Sequence, residues 1–291
     1  MVNKGAVGQT GEAFDMVVER GKVREFARAT KSQNPEYLDE PVPVSPPTFL
    51  VSSVFWAPPG AARWGDLQLD MRRVLDGGRE FVFHGPPPAA GTKLTSQTRV
   101  DDIYEKEGKR GGTMTFVVTV QEFRDEAGDL VRDAVHRDRD RQAADGGLTT
   151  MVTTDVTWDD LTEGTAAEPR DFGPLTRTDF VRYQGASGDF NPIHHDEEYA
   201  KSAGFPTVFS VGMLQAGILA TYVTDWLGAA NVRRYGAQFR EQVWPGDTLT
   251  CSGTVTKRYE DGGERLVDLE LVCTRQTGGT AIKGWATFVA P

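Results

Sequence analysis

Residues 185–205 read GASGDFNPIHHDEEYAKSAGF, and an apolar run, GMLQAGILATYVTDWL, follows at residues 212–227. Asp189 and His194 lie close together in the first stretch, and Pro192 between them fixes its own φ and disfavours helix in the residue before it. The glycines before Asp189 favour the end of one helix, and the acidic run after the histidines favours the start of another. The stretch therefore predicts a turn between two helices, with Asp189 and His194 facing a common space.

The run at residues 212–227 predicts one long helix, because nearly all of its residues are apolar and such a helix must be buried on most sides. Gly228 is placed to end it. The run is too short, and too polar near its end, for a membrane span. We therefore expect a buried central helix and no span of a membrane.

The composition narrows the class of protein. The chain has 291 residues, 38% of them hydrophobic, and a formal net charge of −10. A negative chain does not favour a nucleic-acid partner, because phosphate binding needs a basic surface. The opening residues, MVNKGAVGQTGEAFD, show neither the apolar core of a signal peptide nor an arginine-rich amphipathic pattern. We therefore expect a soluble, cytoplasmic protein.

The two cysteines of the chain lie in stretches that predict strands. Cys251 stands in TLTCSGTV and Cys273 in LVDLELVCT. Cysteines at such positions are typical of small, buried, apolar side chains. We expect no disulfide, no metal site and no cofactor.

The same order of helices and strands occurs twice. FARATKSQNPEY at residues 26–37 aligns with YQGASGDFNPIH at residues 183–194, and both contain an Asn-Pro pair. Farther on, GTKLT from Gly91 matches GDTLT from Gly246. A duplicated unit of this kind predicts an α+β fold, in which each half wraps a curved antiparallel sheet around a long central helix.

The charged stretch HRDRDRQAADGG, which ends in glycines, is the best linker in the sequence. It divides the chain into an N-terminal domain at residues 1–136, a linker at residues 137–151 and a C-terminal domain at residues 152–291. The first half keeps the turn but not its acid–base pair. In the alignment, Ser32 stands at the position of Asp189, and Tyr37 at the position of His194.

The residues at 185–205, followed by Val211, Gly212 and a methionine, resemble the hydratase motif of the MaoC-like (R)-specific enoyl-CoA hydratases and dehydratases. The first half resembles their companion dehydratase domain, of the type found in fatty-acid synthases. This resemblance implies a tandem hot-dog fold. It also implies reversible addition of water to trans-2-enoyl thioesters of CoA or acyl carrier protein, giving (3R)-3-hydroxyacyl thioesters in fatty-acid or related lipid metabolism.

The resemblance also implies roles for single residues. Asp189 and His194 match the catalytic pair, and Gly212 matches the glycine whose N–H receives the thioester oxygen at the start of the central helix. Asn191 is predicted to brace the turn beside the substrate. Val211 stands where the family has a histidine, so the residues that orient the substrate differ here. On spacing alone, Asp189 is a turn cap, His194 an ordinary histidine and Gly212 a packing glycine.

The long helix of the first half is predicted to be short or broken. The run that begins at Thr48 meets Pro58 and Pro59, and proline inside a helix costs about 3 kcal/mol. A helix cut short opposite an active site leaves space for an acyl chain. The residues around the break are aromatic or small: Phe55, Trp56, Ala57, Ala61, Ala62 and Trp64. We predict an acyl pocket here, with Phe55 and Trp56 against the substrate; an ordinary packed core is the alternative.

Two functions other than hydration are compatible with the sequence. The first is a non-catalytic acyl-binding subunit, since the first half shows that this fold persists without the acid–base pair. A hot-dog thioesterase is the second, less favoured possibility. Because two such units pair within one chain, we expect one active site per chain and a homodimer of the fused molecule.

Overall fold

The computed structural model describes residues 2–59, 67–69, 74, 76–107, 113–135, 149–151 and 156–290. Its first half consists of short helices and five strands: a 3-10 turn (Lys4–Ala6), β1 (Phe14–Val17), α1 (Arg20–Ala29), α2 (Pro35–Leu38), a 3-10 helix (Phe49–Phe55), β2 (Gly78–Phe83), β3 (Lys93–Glu107), β4 (Thr113–Arg124) and β5 (Leu130–Val135). The predicted linker lies outside the described residues, except for its last three.

The second half repeats this order with a longer central helix. Its elements are β6 (Thr149–Met151), a 3-10 turn (Trp158–Asp160), β7 (Thr165–Ala167), β8 (Arg170–Phe172), α3 (Arg177–Ser187), a 3-10 turn (Pro192–His194), α4 (Glu197–Ser202), α5 (Gly212–Leu227), a 3-10 turn (Ala229–Asn231), β9 (Val232–Phe239), β10 (Leu249–Asp261), β11 (Glu264–Arg275) and β12 (Thr280–Val289). The sequence patterns missed β7 and β8, which have only three residues each.

The strands of both halves form one twelve-stranded sheet. Its order is β1-β3-β4-β5-β2-β9-β12-β11-β10-β7-β6, with β8 paired to β10. The two halves meet where β2 pairs antiparallel with β9. Glu80 of β2 is buried at this seam and accepts hydrogen bonds from Arg234 at 2.8 Å and from Trp285 at 2.7 Å. A buried carboxylate must be hydrogen-bonded, so these donors favour this particular pairing of the two halves.

The central helix of the second half is the one that its apolar pattern predicts. Helix α5 is buried along nearly its whole length. The Tyr235 hydroxyl of β9 donates to the Ala216 carbonyl at 2.6 Å, which ties the helix to the sheet. Across the described residues, no helix is long and apolar enough to cross a membrane.

The first half departs from the general prediction of a long helix in each half. Where α5 has its counterpart, the described residues form the seven-residue 3-10 helix Phe49–Phe55, which ends at Trp56 shortly before Pro58. The specific prediction of a short helix at this position is thus confirmed. Residues Ala61, Ala62 and Trp64, predicted to lie around the break, fall outside the described residues.

The prediction that the two cysteines are buried in strands is confirmed. Cys251 and Cys273 are free, buried and directly opposite each other on β10 and β11. Both side chains belong to the main hydrophobic core, where burial raises the pKa of the Cys251 thiol well above its usual value. They act as small apolar side chains.

Helix α5 crosses the end of α1 at very close range. The Thr221 hydroxyl of α5 donates to the Thr30 carbonyl at 3.1 Å. At Gly217, a Cβ would lie 2.3 Å from the Thr30 Cγ2 atom. Thr30 is itself buried and held by its hydroxyl, which donates to the Ala27 carbonyl at 3.0 Å. Glycine at 217 is therefore what allows the contact.

We predict that Gly217→Ala destabilises the fold by roughly 1–3 kcal/mol, because the added methyl overpacks a rigid contact. Thr30→Ser removes the clashing Cγ2 and keeps the hydroxyl, so the double variant should regain much of this loss. Gly185→Ala is the control, since Gly185 is also helical and a Cβ there meets nothing within 4 Å. Urea unfolding measures all four proteins. Equal stability of Gly217→Ala and Gly185→Ala would contradict the contact.

Candidate active site

The turn that carries Asp189 is fixed by the helix before it. Helix α3 starts with a capping box, in which Thr176 and Asp179 bond to each other's backbone N–H. It ends at Gly188, which has φ of +79° and donates to the Gln184 carbonyl at 2.8 Å. A Cβ at Gly188 would also lie 2.3 Å from the Val54 Cγ1 atom of the first half. Both conformation and packing therefore require glycine here.

Asp189 and Asn191 hold the turn in shape. The Asp189 Oδ1 atom accepts the Asn191 N–H at 3.2 Å, and the Asn191 Oδ1 atom accepts the Ile193 N–H at 3.2 Å. Asp189 is half-buried, whereas Asn191 is exposed. Asn191 thus caps the 3-10 turn that leads to His194, in agreement with its predicted bracing role.

A hydrogen bond to the Phe209 carbonyl sets the tautomer of His194. Its side chain is buried, and Nδ1 lies 2.8 Å from the Phe209 carbonyl oxygen. A carbonyl oxygen only accepts hydrogen bonds, so Nδ1 carries the proton. The neutral ring then has its lone pair on Nε2, which is the atom that can accept a proton from water.

Burial and nearby charge act in opposite directions on His194. Burial lowers its pKa, the Asp189 carboxylate and the Phe209 carbonyl raise it, and the net pKa is lowered. The Asp189 carboxylate is one of the charges that act on this ring, as expected for two residues on one short turn. His194 is therefore neutral at pH 7, as a proton acceptor must be.

Gly212 occupies the first position of α5. Its N–H belongs to the first turn of the helix, where backbone N–H groups have no partner within the helix and the helix dipole favours negative charge. A Cβ at Gly212 would lie 3.2 Å from the Phe239 ring, so glycine also permits close packing here. Val211 before it is buried and gives the helix no side-chain cap.

The equivalent turn in the first half has the same construction without the acid–base pair. The Ser32 Oγ atom accepts the Asn34 N–H at 3.2 Å, as Asp189 does for Asn191. Asn34 in turn accepts the Glu36 N–H at 2.9 Å. Lys31, at the position of Gly188, has φ of +65°. The structure thus bears out the alignment of the two halves residue by residue.

The first half contributes an aromatic side chain to the mouth of the turn. The Phe55 ring lies 6.2 Å from the Phe190 ring, edge to face, and these rings are 43% and 59% exposed. The Lys22 ammonium lies 4.0 Å from the centre of the Phe55 ring. Trp56 points elsewhere and lines a separate cleft of about 230 Å³, together with Met16 of β1.

Arg79 is a second contribution of the first half, which the sequence patterns missed. It lies on β2 opposite Ala237 of β9 and forms an ion pair with Asp76 at 3.0 Å. Burial opposes its charge, but the carboxylates of Asp76 and Asp189 outweigh this and raise its pKa. The charge environment of this first-half cation thus includes a contribution from Asp189 of the second half. No local pattern marks a residue that reaches the site across the seam.

Comparison with known proteins agrees with this geometry. Residues 5–134 match the FAS1-like dehydratase domain region, and residues 161–273 match the MaoC-like domain. The chain is 31% identical over 137 residues to an (R)-specific enoyl-CoA hydratase of Rhodospirillum rubrum, covering 46% of this chain and 91% of that one. The chain belongs to the MaoC-like family. It is also 31% identical over 203 residues to 3-hydroxyacyl-thioester dehydratase Y of Mycobacterium tuberculosis, covering 65% of this chain and 63% of that protein.

Solved structures confirm the predicted double hot-dog fold. A MaoC-like dehydratase superposes with a TM-score of 0.81 at 22% identity, covering 99% of both chains. A Mycobacterium tuberculosis protein described as a double hot-dog superposes with a TM-score of 0.65 at 14% identity, covering 97% of this chain and 96% of that one. At these identities the similarity concerns the fold. Within the described ranges, no group of three or more His, Cys, Asp or Glu side chains is placed to hold a metal ion.

We predict that the ring of His194 titrates below its usual pKa of about 6.5. A neutral His194 is required as base, so kcat/KM should hold as pH falls past that value and decline only below it. Nuclear magnetic resonance of the histidine ring protons measures the pKa, with His194→Gln to assign the signal. Titration of His194 at or above the usual value would contradict the effect of burial.

Proposed function

We propose that this MaoC-like protein catalyses the reversible hydration of trans-2-enoyl thioesters to (3R)-3-hydroxyacyl thioesters. The observation that carries the proposal is the fixed tautomer of His194, which leaves Nε2 as the nitrogen able to accept a proton, on the same braced turn as Asp189. The relatives named as hydratase and dehydratase support the same reaction, and the stereochemistry follows theirs.

The reaction needs a base for water, a proton for C2 and a donor for the thioester oxygen. A water held between Asp189 and His194 loses a proton to one of them as its oxygen bonds to C3. A proton from the pair is then delivered to C2. The Gly212 N–H donates a hydrogen bond to the thioester oxygen and stabilises the negative charge that develops there. Such a donor lowers the activation free energy by roughly 3 kcal/mol.

The first half supplies the space for the acyl chain in this proposal. The 3-10 helix ends at Phe55, beside the catalytic turn, where the longer α5 continues in the other half. Phe55 is the better supported wall of the pocket, because it contacts Phe190 next to Asp189. Trp56 belongs to the pocket only if the pocket extends to the cleft beside β1. Asn191 and Val211 complete the predicted substrate contacts.

The remaining features of the proposal concern the setting of the enzyme. The substrate is a thioester of CoA or acyl carrier protein, and the fused chain has one active site, since Ser32 and Tyr37 replace the acid–base pair in the first half. A homodimer of fused chains and a cytoplasmic location stay predictions.

We predict that Asp189→Asn and His194→Ala each lower kcat by roughly 100-fold or more, because each removes a proton-transfer group. Binding should change less. The assay is the loss of ultraviolet absorbance of a conjugated enoyl-CoA on hydration. Ser32→Ala is the matched control, since Ser32 has the equivalent place in the first half, and it should keep the wild-type kcat.

The same assay separates the other functions. Wild-type kcat in Asp189→Asn would remove the assigned role of Asp189. An unchanged absorbance with every chain length would favour an acyl-binding subunit without activity. Release of free thiol would favour a thioesterase.

We predict that the wild type prefers medium, long or ring-bearing enoyl-CoA to crotonyl-CoA, and that Phe55→Ala reduces kcat/KM selectively for the bulkier substrates. The truncation removes apolar surface that only a longer chain can reach. Phe116→Ala is the control, because Phe116 is also in the first half but stacks on Tyr104. Equal loss at all chain lengths, or a wild-type preference for four carbons, would exclude the pocket.

A further inference from the structure

A buried glutamine binds the turn that carries both predicted catalytic residues. Gln184 lies on α3 and is 2% exposed. Its amide nitrogen donates to the Asp189 carbonyl at 2.8 Å and to the Asn191 carbonyl at 3.2 Å. Its amide oxygen lies 3.1 Å from Nδ1 of His195. All of these contacts are made within the segment that begins with α3 and ends at His195.

The hydrogen-bonding capacity of this amide is matched to the turn. Both N–H groups of the amide donate to backbone carbonyls, those of Asp189 and Asn191. The amide oxygen accepts a hydrogen bond from His195 when Nδ1 carries a proton. His195 is exposed, so it closes the network from the solvent side. The contacts act on the backbone of Asp189 and leave its carboxylate free for chemistry.

The first half provides an internal comparison. In the alignment of the halves, Ala27 stands at the position of Gln184, and Leu38 at the position of His195. Ala27 and Leu38 pack in one apolar cluster, which also contains Tyr37. The half without the acid–base pair therefore lacks this polar network as well.

The first-half turn nevertheless keeps its shape. Ser32, Asn34 and Glu36 form the same series of side-chain to backbone hydrogen bonds that Asp189, Asn191 and Ile193 form. The turn can thus fold with alanine and leucine at the two positions. Folding of the turn alone does not account for Gln184 and His195.

We propose that Gln184, with His195 as its outer partner, is a positioning residue that fixes Asp189 relative to Nε2 of His194. The proposal rests on the hydration activity proposed above. A structural residue would only keep the turn folded. Proton transfer also requires that the turn hold Asp189 accurately in place, which is the role proposed for Gln184. The groups that face Gln184 are the Asp189 and Asn191 carbonyls and His195, while Lys22 of α1 donates to the neighbouring Gly185 carbonyl at 3.2 Å.

The sharpest test transfers the first-half pair into the second half. The double variant Gln184→Ala, His195→Leu should fold, because the first half folds with these residues. We expect kcat to fall about 10-fold or more while KM changes little, since ground-state binding does not use the pair. Ser32→Ala is the control for loss of a turn hydrogen bond and should keep kcat. A wild-type kcat in the folded double variant overturns the proposal.

A second variant gives a readout that a structural role would not produce. In Gln184→Glu, the ionised carboxylate faces two carbonyl oxygens and cannot donate to either, whereas the protonated acid donates to one. The ratio of kcat for Gln184→Glu to that of the wild type should therefore rise as pH falls. The ratio is compared at pH values above the pKa of His194, where its ring is neutral in both proteins, so that a change reports the new carboxyl. A ratio independent of pH overturns the proposal, even if the double variant does not fold.

The titration of His194 provides a test that does not depend on activity. The Asp189 carboxylate raises the pKa of this ring, so a loosened turn should lower it further. We expect a lower His194 pKa in the single variant Gln184→Ala, which adds no charge and leaves His195 in place. If the wild type hydrates no enoyl thioester, the proposed function fails, and this measurement still decides whether Gln184 positions Asp189. An unchanged His194 pKa in Gln184→Ala then contradicts the proposal.

Discussion

The antiparallel pairing of β2 with β9 is the constraint on which the rest of the molecule depends. It joins two similar halves about a pseudo-two-fold relation, so that each central helix ends against the turn of the other half. The Phe26 and Tyr183 rings, which are equivalent in the alignment, meet at this relation with their centres 5.6 Å apart. A difference in length between the two central helices therefore changes what lies against each turn.

The two helices differ in length, and this decides which turn is open. Helix α5 runs past the first-half turn: Thr221 bonds to Thr30, and the Ala229 N–H just after the helix donates to Glu36 at 3.2 Å. The 3-10 helix of the first half instead ends at Phe55 beside Gly188. The longer helix covers the turn that lacks the Asp–His pair, and the shorter one borders the turn that contains it. The turn that lacks the acid–base pair is thus also the turn that the longer helix covers.

The sequence predicted the features that depend on local backbone chemistry. Gly188 ends α3, Pro192 opens the turn to His194, and the apolar run gives α5 with its predicted bounds. These follow from conformational limits and apolar patterning within a few residues. That Asp189 and His194 form a catalytic pair was predicted through the motif and stays a prediction. The place of Phe55 followed from the prolines after it, although the separate direction of Trp56 did not.

Contacts between distant segments could not be predicted in this way. The Phe209 carbonyl sets the tautomer of His194, and the Asp189 carboxylate contributes to the charge environment of Arg79 in the other half, yet neither relation belongs to a local pattern. Gln184 was hidden for another reason. Its bonds run to carbonyl groups, which every residue has, so only the folded turn distinguishes this glutamine from others. The short strands β7 and β8 were missed because three residues carry no readable alternation.

The first-half turn, which lacks the acid–base pair, stabilises the start of α3. Lys31 adopts a left-handed backbone, where a residue other than glycine is uncommon and disfavoured by roughly 1–2 kcal/mol. In return, its side chain forms an ion pair with Asp179, which also caps the start of α3. Burial raises the pKa of Asp179, but Lys31 and Thr176 outweigh this and lower it, so this stabilisation is present above the usual carboxyl pKa and is lost in acid. The first-half turn thus anchors the N-terminus of the helix whose C-terminus positions Asp189.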